Sequence, residues 1–199
     1  MKHSILSLGC WLWLCLLFPG CEKSGSSAQP LPKLFQLPAF TLTERTGQPF
    51  NSATMQGKVW VASFFFASCP GTCPILNKQM QAIEKDTEGQ SNFGLLSIAT
   101  DESDTPEVLR NTADLLHAGS RWFFVTGKKD QVFNLSVNGF KLALKDADGV
   151  NVKEKIIHST KIALIDQQGW IRGYYDGVGD NAPEEKTRLL ADIKRLLAE

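Results

Sequence analysis

Residues 58–74 read KVWVASFFFASCPGTCP and join an apolar segment to a pair of cysteines. The first ten residues of this stretch, 58–67, are apolar at almost every position, so both faces of an extended chain would be hydrophobic. A central strand that is covered on both sides of a sheet has this pattern. Cys69 and Cys73 follow at once, in a loop rich in Pro, Gly and Ser. The stretch therefore predicts a buried strand that ends at a loop carrying two thiols.

The residues after this loop predict a helix over 74–88. Leu76, Met80 and Ile83 recur at the spacing of one helix face. Pro74 suits the first helical turn, where a backbone N–H has no partner inside the helix. The two cysteines therefore lie where a strand ends and a helix begins.

The same alternation continues to the end of the chain. Further strands are predicted at 93–100, 122–125, 161–166 and 170–175, and further helices from 104, over 130–135 and over 184–197. In the helix from 104, Val108, Leu115 and Leu116 are expected to face inward. The polar segment 141–155 is interpreted as a surface insertion or hairpin. This order predicts an α/β fold of the thioredoxin-like type, a central mixed β-sheet flanked by helices on both faces.

The N-terminal region has a different character. Residues 5–18 are almost wholly apolar and too short for an ordinary membrane span, which predicts a signal peptide over 1–20. Cys21 follows the small Gly20, an arrangement that resembles a bacterial lipobox, so Cys21 is the predicted lipidation site. An uncleaved membrane anchor and plain secretion are the alternatives. All three place the domain on the periplasmic or extracytoplasmic face.

Residues 21–36 are predicted to be a lipidated N-terminus and a flexible tether, and 37–199 a single domain. Residues 22–33, EKSGSSAQPLPK, are polar and rich in Ser, Gly and Pro. About 160 residues remain for the domain, enough for a hydrophobic core without disulfides. Lys plus Arg equals Asp plus Glu at 21 each, so no basic excess supports nucleic-acid binding.

The cysteine count leaves one reactive pair. Of five cysteines, Cys10 and Cys15 lie in the apolar leader and Cys21 is the predicted lipid acceptor. Cys69 and Cys73 remain, and the amide groups at a helix N-terminus would lower a thiol pKa there. Their C-x-x-x-C spacing puts the sulfurs about one turn apart. Such a pair can form a disulfide or chelate a soft metal ion, whereas inert core cysteines would not need so exposed a loop.

The histidines narrow the choice of metal. The chain has three, His3, His117 and His158, and no second cysteine pair. A structural zinc site usually takes four protein ligands. Two thiolates with one imidazole suit copper better, because thiolates favour Cu(I) and imidazole accepts either oxidation state. His117, late in a helix, is expected to face solvent.

Four segments together carry a family resemblance. They are FFFASCPGTCP at 64–74, DESDTP at 101–106, WFFVTG at 122–127 and HST at 158–160, the last followed by Leu164, Ile165, Asp166 and Gly169. In this order they resemble the SCO/SenC family, thioredoxin-like copper proteins that assist cytochrome c oxidase assembly. The resemblance runs from about Pro38 to the C-terminus.

The resemblance implies a ligand set of Cys69, Cys73 and His158 for copper. Two positions depart from the family pattern. Gly71 and Thr72 stand where the family often has an acidic residue, and Ile157 stands where Asp usually precedes the histidine. A carboxylate beside the histidine could tune it, so its absence favours retention of Cu(I) over Cu(II).

Two functions of different classes follow. The first is a metallochaperone that binds copper and docks on the cytochrome c oxidase subunit bearing the copper A centre, or on another copper or thiol protein. The second is a membrane-tethered thiol–disulfide reductase in which Cys69 and Cys73 exchange with partner cysteines and His158 is not needed. A peroxidase is less well supported, because Phe66 stands three residues before Cys69, where a Thr would be needed.

The leader allows a direct test. If Cys21 is lipidated, mass spectrometry of the mature protein will show acyl chains on an N-terminal Cys21. A mature chain that retains Met1 would contradict lipidation and leave the uncleaved anchor.

Overall fold

The structure is a computed structural model that describes residues 29–142, 145–146, 156–157 and 159–199, with backbone alone for the two short segments. Residues 31–199 form one compact unit. Cys21, the predicted signal peptide and His158 lie outside the described residues. Across the described residues, no helix combines the length and the hydropathy needed to cross a membrane.

Strands and helices alternate as predicted. The strands are β1 Phe35–Gln36, β2 Thr41–Glu44, β3 Pro49–Asn51, β4 Val59–Phe65, β5 Phe93–Ala99, β6 Trp122–Thr126, β7 Lys145–Asp146, β8 Ile156–Ile157, β9 Lys161–Ile165 and β10 Trp170–Asp176. The helices are α1 Thr72–Asp86, α2 Pro106–Leu115, α3 Lys129–Asn134 and α4 Ala182–Leu197. A 3₁₀ helix, Ser52–Met55, and a π-helical turn, Leu135–Gly139, complete the regular structure.

Eight strands form one mixed sheet in the order β1-β10-β9-β4-β5-β6-β2-β3. β4, β5 and β6 are parallel, as connections through α1 and α2 require, and the other neighbours are antiparallel. The expected mixed sheet is confirmed. β1 pairs with β10 and forms the edge of the sheet beyond the β9–β10 hairpin. β7 pairs with β8, and the residues of β8 lie just beyond the segment 141–155 that was interpreted as a surface insertion or hairpin.

The central strand β4 is buried at all seven positions. Its side chains alternate between two hydrophobic clusters, one on each face of the sheet. Val59, Val61 and Phe65 pack into the cluster that includes α1, α2 and α4. Trp60 and Phe64 pack into the opposite cluster, which includes Val132 of α3. The apolar run at 58–67 was therefore correctly interpreted as a strand covered on both sides.

The orientation of α2 differs from the prediction. Leu109 and Ala113 are buried and Leu116 is partly buried, whereas Leu115 is 82% exposed. Residues 109, 113 and 116 share a face because they are four and three positions apart, and Leu115 lies about 100° away from Leu116. The prediction for Leu115 was wrong because the apolar residues of this helix allow two overlapping faces.

The domain begins earlier than residue 37, because Arg172 binds the preceding segment. Its buried guanidinium donates from Nη2 to the Leu31 carbonyl at 2.6 Å and from Nε to the Pro32 carbonyl at 3.1 Å. It also forms a salt bridge to the buried Asp166, with Nη1 and Oδ2 2.9 Å apart. β1 then pairs with β10 through Phe35 and its neighbour. The last part of the predicted tether thus packs on the sheet.

Truncation tests this arrangement. A chain that starts at residue 37 leaves Arg172 donors buried without the Leu31 and Pro32 acceptors. Such a loss costs about 1–3 kcal/mol. We therefore expect its melting temperature to fall by several degrees, given about 2–4 °C per kcal/mol for a domain of this size. A chain that starts at residue 31 is the matched control and should melt like one that starts at residue 29. Equal midpoints for starts at 31 and 37 would contradict the role of Arg172.

Candidate thiol and metal site

The thiol loop lies between the end of β4 and the start of α1. Phe65, the last residue of β4, is held by Thr100, whose N–H and hydroxyl donate to the Phe65 carbonyl at 2.9 and 3.1 Å. The N–H of Cys69 donates to the carbonyl of Phe66 at 3.3 Å, which closes a tight turn. The loop therefore starts from the rigid centre of the sheet and returns into the helix.

The helix starts at Thr72, two residues before the predicted start at Pro74. Its cap residue, Gly71, has no side chain, so no side-chain hydrogen bond satisfies the amides of the first turn. Cys73 therefore lies within the first helical turn, and Pro74 takes a position where no backbone donor is needed. The amides at this end are available to the sulfur of Cys69.

Cys69 lies at this helix end and is partly exposed. Burial acts to raise its pKa, but hydrogen bonds to the thiolate outweigh that effect and hold the pKa of Cys69 below its ordinary value. The backbone donors are Cys73, Gly71 and Thr72, and the side chain of Cys73 adds another hydrogen bond. The same amides favour an anion at any helix N-terminus. Cys69 is therefore the more nucleophilic thiol.

Cys73 faces the core and is only 1% exposed. Burial raises the pKa of Cys73 far above its ordinary value. A backbone hydrogen bond from Phe66 opposes the shift, while the hydrogen bond and charge of Cys69 and the charge of Asp104 add to it. Both cysteines are thiols, and their side chains are hydrogen-bonded to each other. The pair thus joins an exposed, acidic sulfur to a buried, protonated one.

Asp104 was not identified as a site residue from the sequence. It is 3% exposed, and its Oδ2 accepts the N–H of Ala67 at 2.9 Å. Burial raises its pKa, the Ala67 hydrogen bond opposes this, and the charge of Asp101 raises it further. In the sequence, Asp104 precedes Thr105, the N-cap of α2, so the segment indicated the start of a helix and a family resemblance but no role at the thiol loop. Its link to the thiol loop is visible only in three dimensions.

The predicted third ligand, His158, lies outside the described residues, and no cluster of three metal-binding side chains occurs among those that are described. The residues shortly after it are described. The N–H of Gly177 donates to the carbonyl of Thr160 at 3.0 Å. A Cβ at Gly177 would meet both that carbonyl and the side chain of Leu76 within 3.0 Å. Gly177 therefore lies beside both Thr160 and Leu76 of α1.

His117 lies elsewhere. It follows the C-terminal end of α2, is exposed and has a positive φ of 52°. Its neighbours in a surface depression include Glu84 and Arg121, and neither cysteine of the pair is among them. The expectation that His117 faces solvent is confirmed.

Comparison with known proteins identifies the family. The sequence profile of SCO1/SenC matches residues 29–198, nearly the whole described chain. The chain belongs to the SCO1/SenC family.

Solved structures of SCO1/SenC proteins share this fold. A SCO1/SenC family lipoprotein from Bacillus anthracis is 30% identical with a TM-score of 0.72, over 83% of this chain and 96% of that one. BsSco, a member of the Sco family of cytochrome c oxidase assembly proteins in which a disulfide switch is described, is 23% identical (TM-score 0.71; 85% and 98% covered). ScoI from Bradyrhizobium japonicum with copper bound is 20% identical (TM-score 0.65; 81% and 99% covered). The likeness of the last two establishes the thioredoxin-like fold alone.

The SCO1/SenC thiol pair should react unequally with alkylating agents. Iodoacetamide reacts with thiolates, so limited treatment near neutral pH should modify Cys69 and leave Cys73 unmodified. The rate at Cys69 should level off at a lower pH than that of an unperturbed cysteine, because the pKa of Cys69 is lowered. Peptide mass spectrometry after timed quenching measures both. Equal modification of the two cysteines would contradict the assigned asymmetry.

Proposed function

We propose that this chain is an extracytoplasmic copper-binding protein that carries copper on Cys69, Cys73 and His158 and supplies it to cytochrome c oxidase at the copper A centre. The observation that supports this most directly is the pair of hydrogen-bonded sulfurs at the N-terminus of α1. Membership in the SCO1/SenC family, with a copper-bound relative and a relative among oxidase assembly proteins, supports the cargo and the recipient.

The thiol pair suits copper as a cargo that must later be released. Soft thiolates favour Cu(I), and two sulfurs already in contact need little rearrangement to share one ion. Binding requires Cys73 to lose its proton, so metal binding and proton release are coupled. Cys69 is the accessible sulfur. A thiolate of a recipient protein can therefore replace Cys69 first, while the buried Cys73 holds the ion until transfer is complete.

His158 is proposed as the third ligand. The described chain resumes at Ser159, and the carbonyl of the next residue, Thr160, lies beside Gly177, as does the side chain of Leu76 in the first part of α1. This proximity to Gly177 supports a position for His158 near the thiol pair. Since Ile157 stands where the family usually has Asp, no carboxylate on that residue tunes the imidazole, and we expect Cu(I) to be held more firmly than Cu(II).

A thiol–disulfide reductase is the second candidate, supported by the unequal pKa values of the two cysteines. The Cys69 thiolate would attack a partner disulfide, forming a mixed disulfide and releasing one partner thiolate. The first released partner thiolate would then take the proton of Cys73, and the Cys73 sulfur would attack the Cys69 sulfur, which forms the Cys69–Cys73 disulfide and releases the second partner thiolate. The partner is reduced by two electrons and the pair is oxidised by two. Both roles can coexist, because a recipient must have reduced thiols to accept copper.

Attachment through a lipid on Cys21 is part of the proposal. The lipobox-like sequence supports it, and the Bacillus anthracis relative is a lipoprotein. The compact domain begins at Leu31. Residues 22–30 would then link the lipid to the domain and let it reach a membrane-bound recipient.

Replacing His158 separates the two functions. Copper loses a donor in His158→Ala, whereas thiol exchange loses no reacting atom. We expect copper affinity to fall by ~10-fold or more, with the larger change for Cu(II), while the Cys69–Cys73 disulfide still forms. Anaerobic titration of the reduced domain against a competing chelator measures affinity. His117→Ala is the matched control and should bind copper like the wild type.

The cysteine variants complete the experiment. Replacing Cys69 or Cys73 with Ser should abolish both disulfide formation and tight Cu(I) binding, because one sulfur with one imidazole is a poor Cu(I) site. If His158→Ala binds both copper states like the wild type, the three-ligand copper site is refuted and the reductase becomes the better account.

A further inference from the structure

One peptide group links Asp104 to the exposed cysteine. The peptide between Phe66 and Ala67 donates its N–H to Asp104 Oδ2 at 2.9 Å. The carbonyl of the same peptide accepts the N–H of Cys69 at 3.3 Å. Because a peptide group is planar and rigid, its orientation sets both hydrogen bonds at once. The carboxylate of Asp104 therefore orients the Phe66–Ala67 peptide group, whose carbonyl accepts the N–H of Cys69.

The same part of the loop reaches Cys73. The backbone of Phe66 forms a hydrogen bond to Cys73. Asp104 accepts the N–H of the next residue, Ala67. A rotation of the Phe66–Ala67 peptide would disturb this contact together with the one to Cys69. Asp104 thus acts on both sulfurs through the loop backbone.

Asp104 itself is held rigidly. Its N–H donates to the carbonyl of Asp101 at 3.0 Å, and the next residue, Thr105, caps α2 by accepting the N–H of Val108. Its carboxylate is buried, and among the described residues no salt bridge to it occurs. A buried carboxylate is costly unless hydrogen bonds satisfy it, and the N–H of Ala67 in the thiol loop supplies one.

We propose that Asp104 is a positioning residue for the thiol pair, which orients the Phe66–Ala67 peptide so that Cys69 stays directed at Cys73. This deepens the proposed function, on which it rests for its link to copper. Chelation of one ion by two sulfurs and formation of a disulfide both need Cys69 held beside Cys73. The effect depends on the place of the acceptor oxygen rather than on its charge.

The test is the equilibrium between the Cys69–Cys73 disulfide and glutathione, measured without copper. Asp104→Ala removes the acceptor and should lower the effective concentration of the two thiols by roughly tenfold, which is the usual size of the effect of losing one hydrogen bond. Asp104→Asn keeps an oxygen in place and should stay close to the wild type. Asp104→Glu keeps the charge but displaces the oxygen, so it should resemble Asp104→Ala.

Two controls keep the result specific. Asp101→Asn is the matched variant, because among the described residues the carboxylate bonds only to Ser103, and the amide keeps an acceptor for Ser103 while removing the charge near Asp104. It should leave the equilibrium unchanged. Urea unfolding of each reduced variant measures its global stability. A general loss of stability would weaken the disulfide in every variant and would not leave Asp104→Asn closer to the wild type than Asp104→Glu. If Asp104→Ala does not fold, the Asp104→Asn and Asp104→Glu variants still test the positioning role.

The outcomes separate this inference from the copper function. An Asp104→Asn variant as impaired as Asp104→Ala, or a wild-type equilibrium in Asp104→Glu, would overturn the positioning role and assign the effect to charge. A wild-type protein that binds no copper would overturn the proposed function, while the glutathione equilibrium would still decide on Asp104. With copper, the Cu(I) affinities should rank in the same order as the disulfide equilibria.

Discussion

The amide groups at the N-terminus of α1 bind the sulfur of Cys69, and the chemistry of the site depends on this interaction. Gly71 offers no side chain to cap the helix, so the sulfur itself accepts hydrogen bonds from the first turn. This stabilises a thiolate at a partly exposed position. Had the helix carried a Ser or Asp cap, that oxygen would compete for the same donors.

The sheet holds this end of the helix, and the cysteines on it, in a fixed position. β4 is buried on both faces, and its last carbonyl is bound twice by Thr100. The loop therefore leaves a fixed point and returns to a fixed helix. The site gains a further support from Asp104 on the neighbouring loop, since the carboxyl ends of the parallel strands β4 and β5 lie at the same edge of the sheet.

Burial differs sharply between Cys69 and Cys73, which are four positions apart in the sequence. One sulfur faces solvent and the helix amides, and the other faces Leu76 and the core, so their pKa values shift in opposite directions. A pair of this kind serves ligand exchange and disulfide exchange equally well, because both begin at an accessible thiolate and end at a buried sulfur. The copper and reductase functions thus differ in the third donor rather than in the thiol pair.

The sequence by itself determined the element order, the covered central strand and the placement of Cys69 and Cys73 between strand and helix, because hydrophobic period and loop composition are local signals. Only the tertiary structure decided which thiol is acidic, that Leu115 is exposed and that Leu31 belongs to the domain. It also brought Asp104 to the thiol loop across 37 residues of sequence. These facts depend on burial and on contacts between distant segments, which no local pattern encodes.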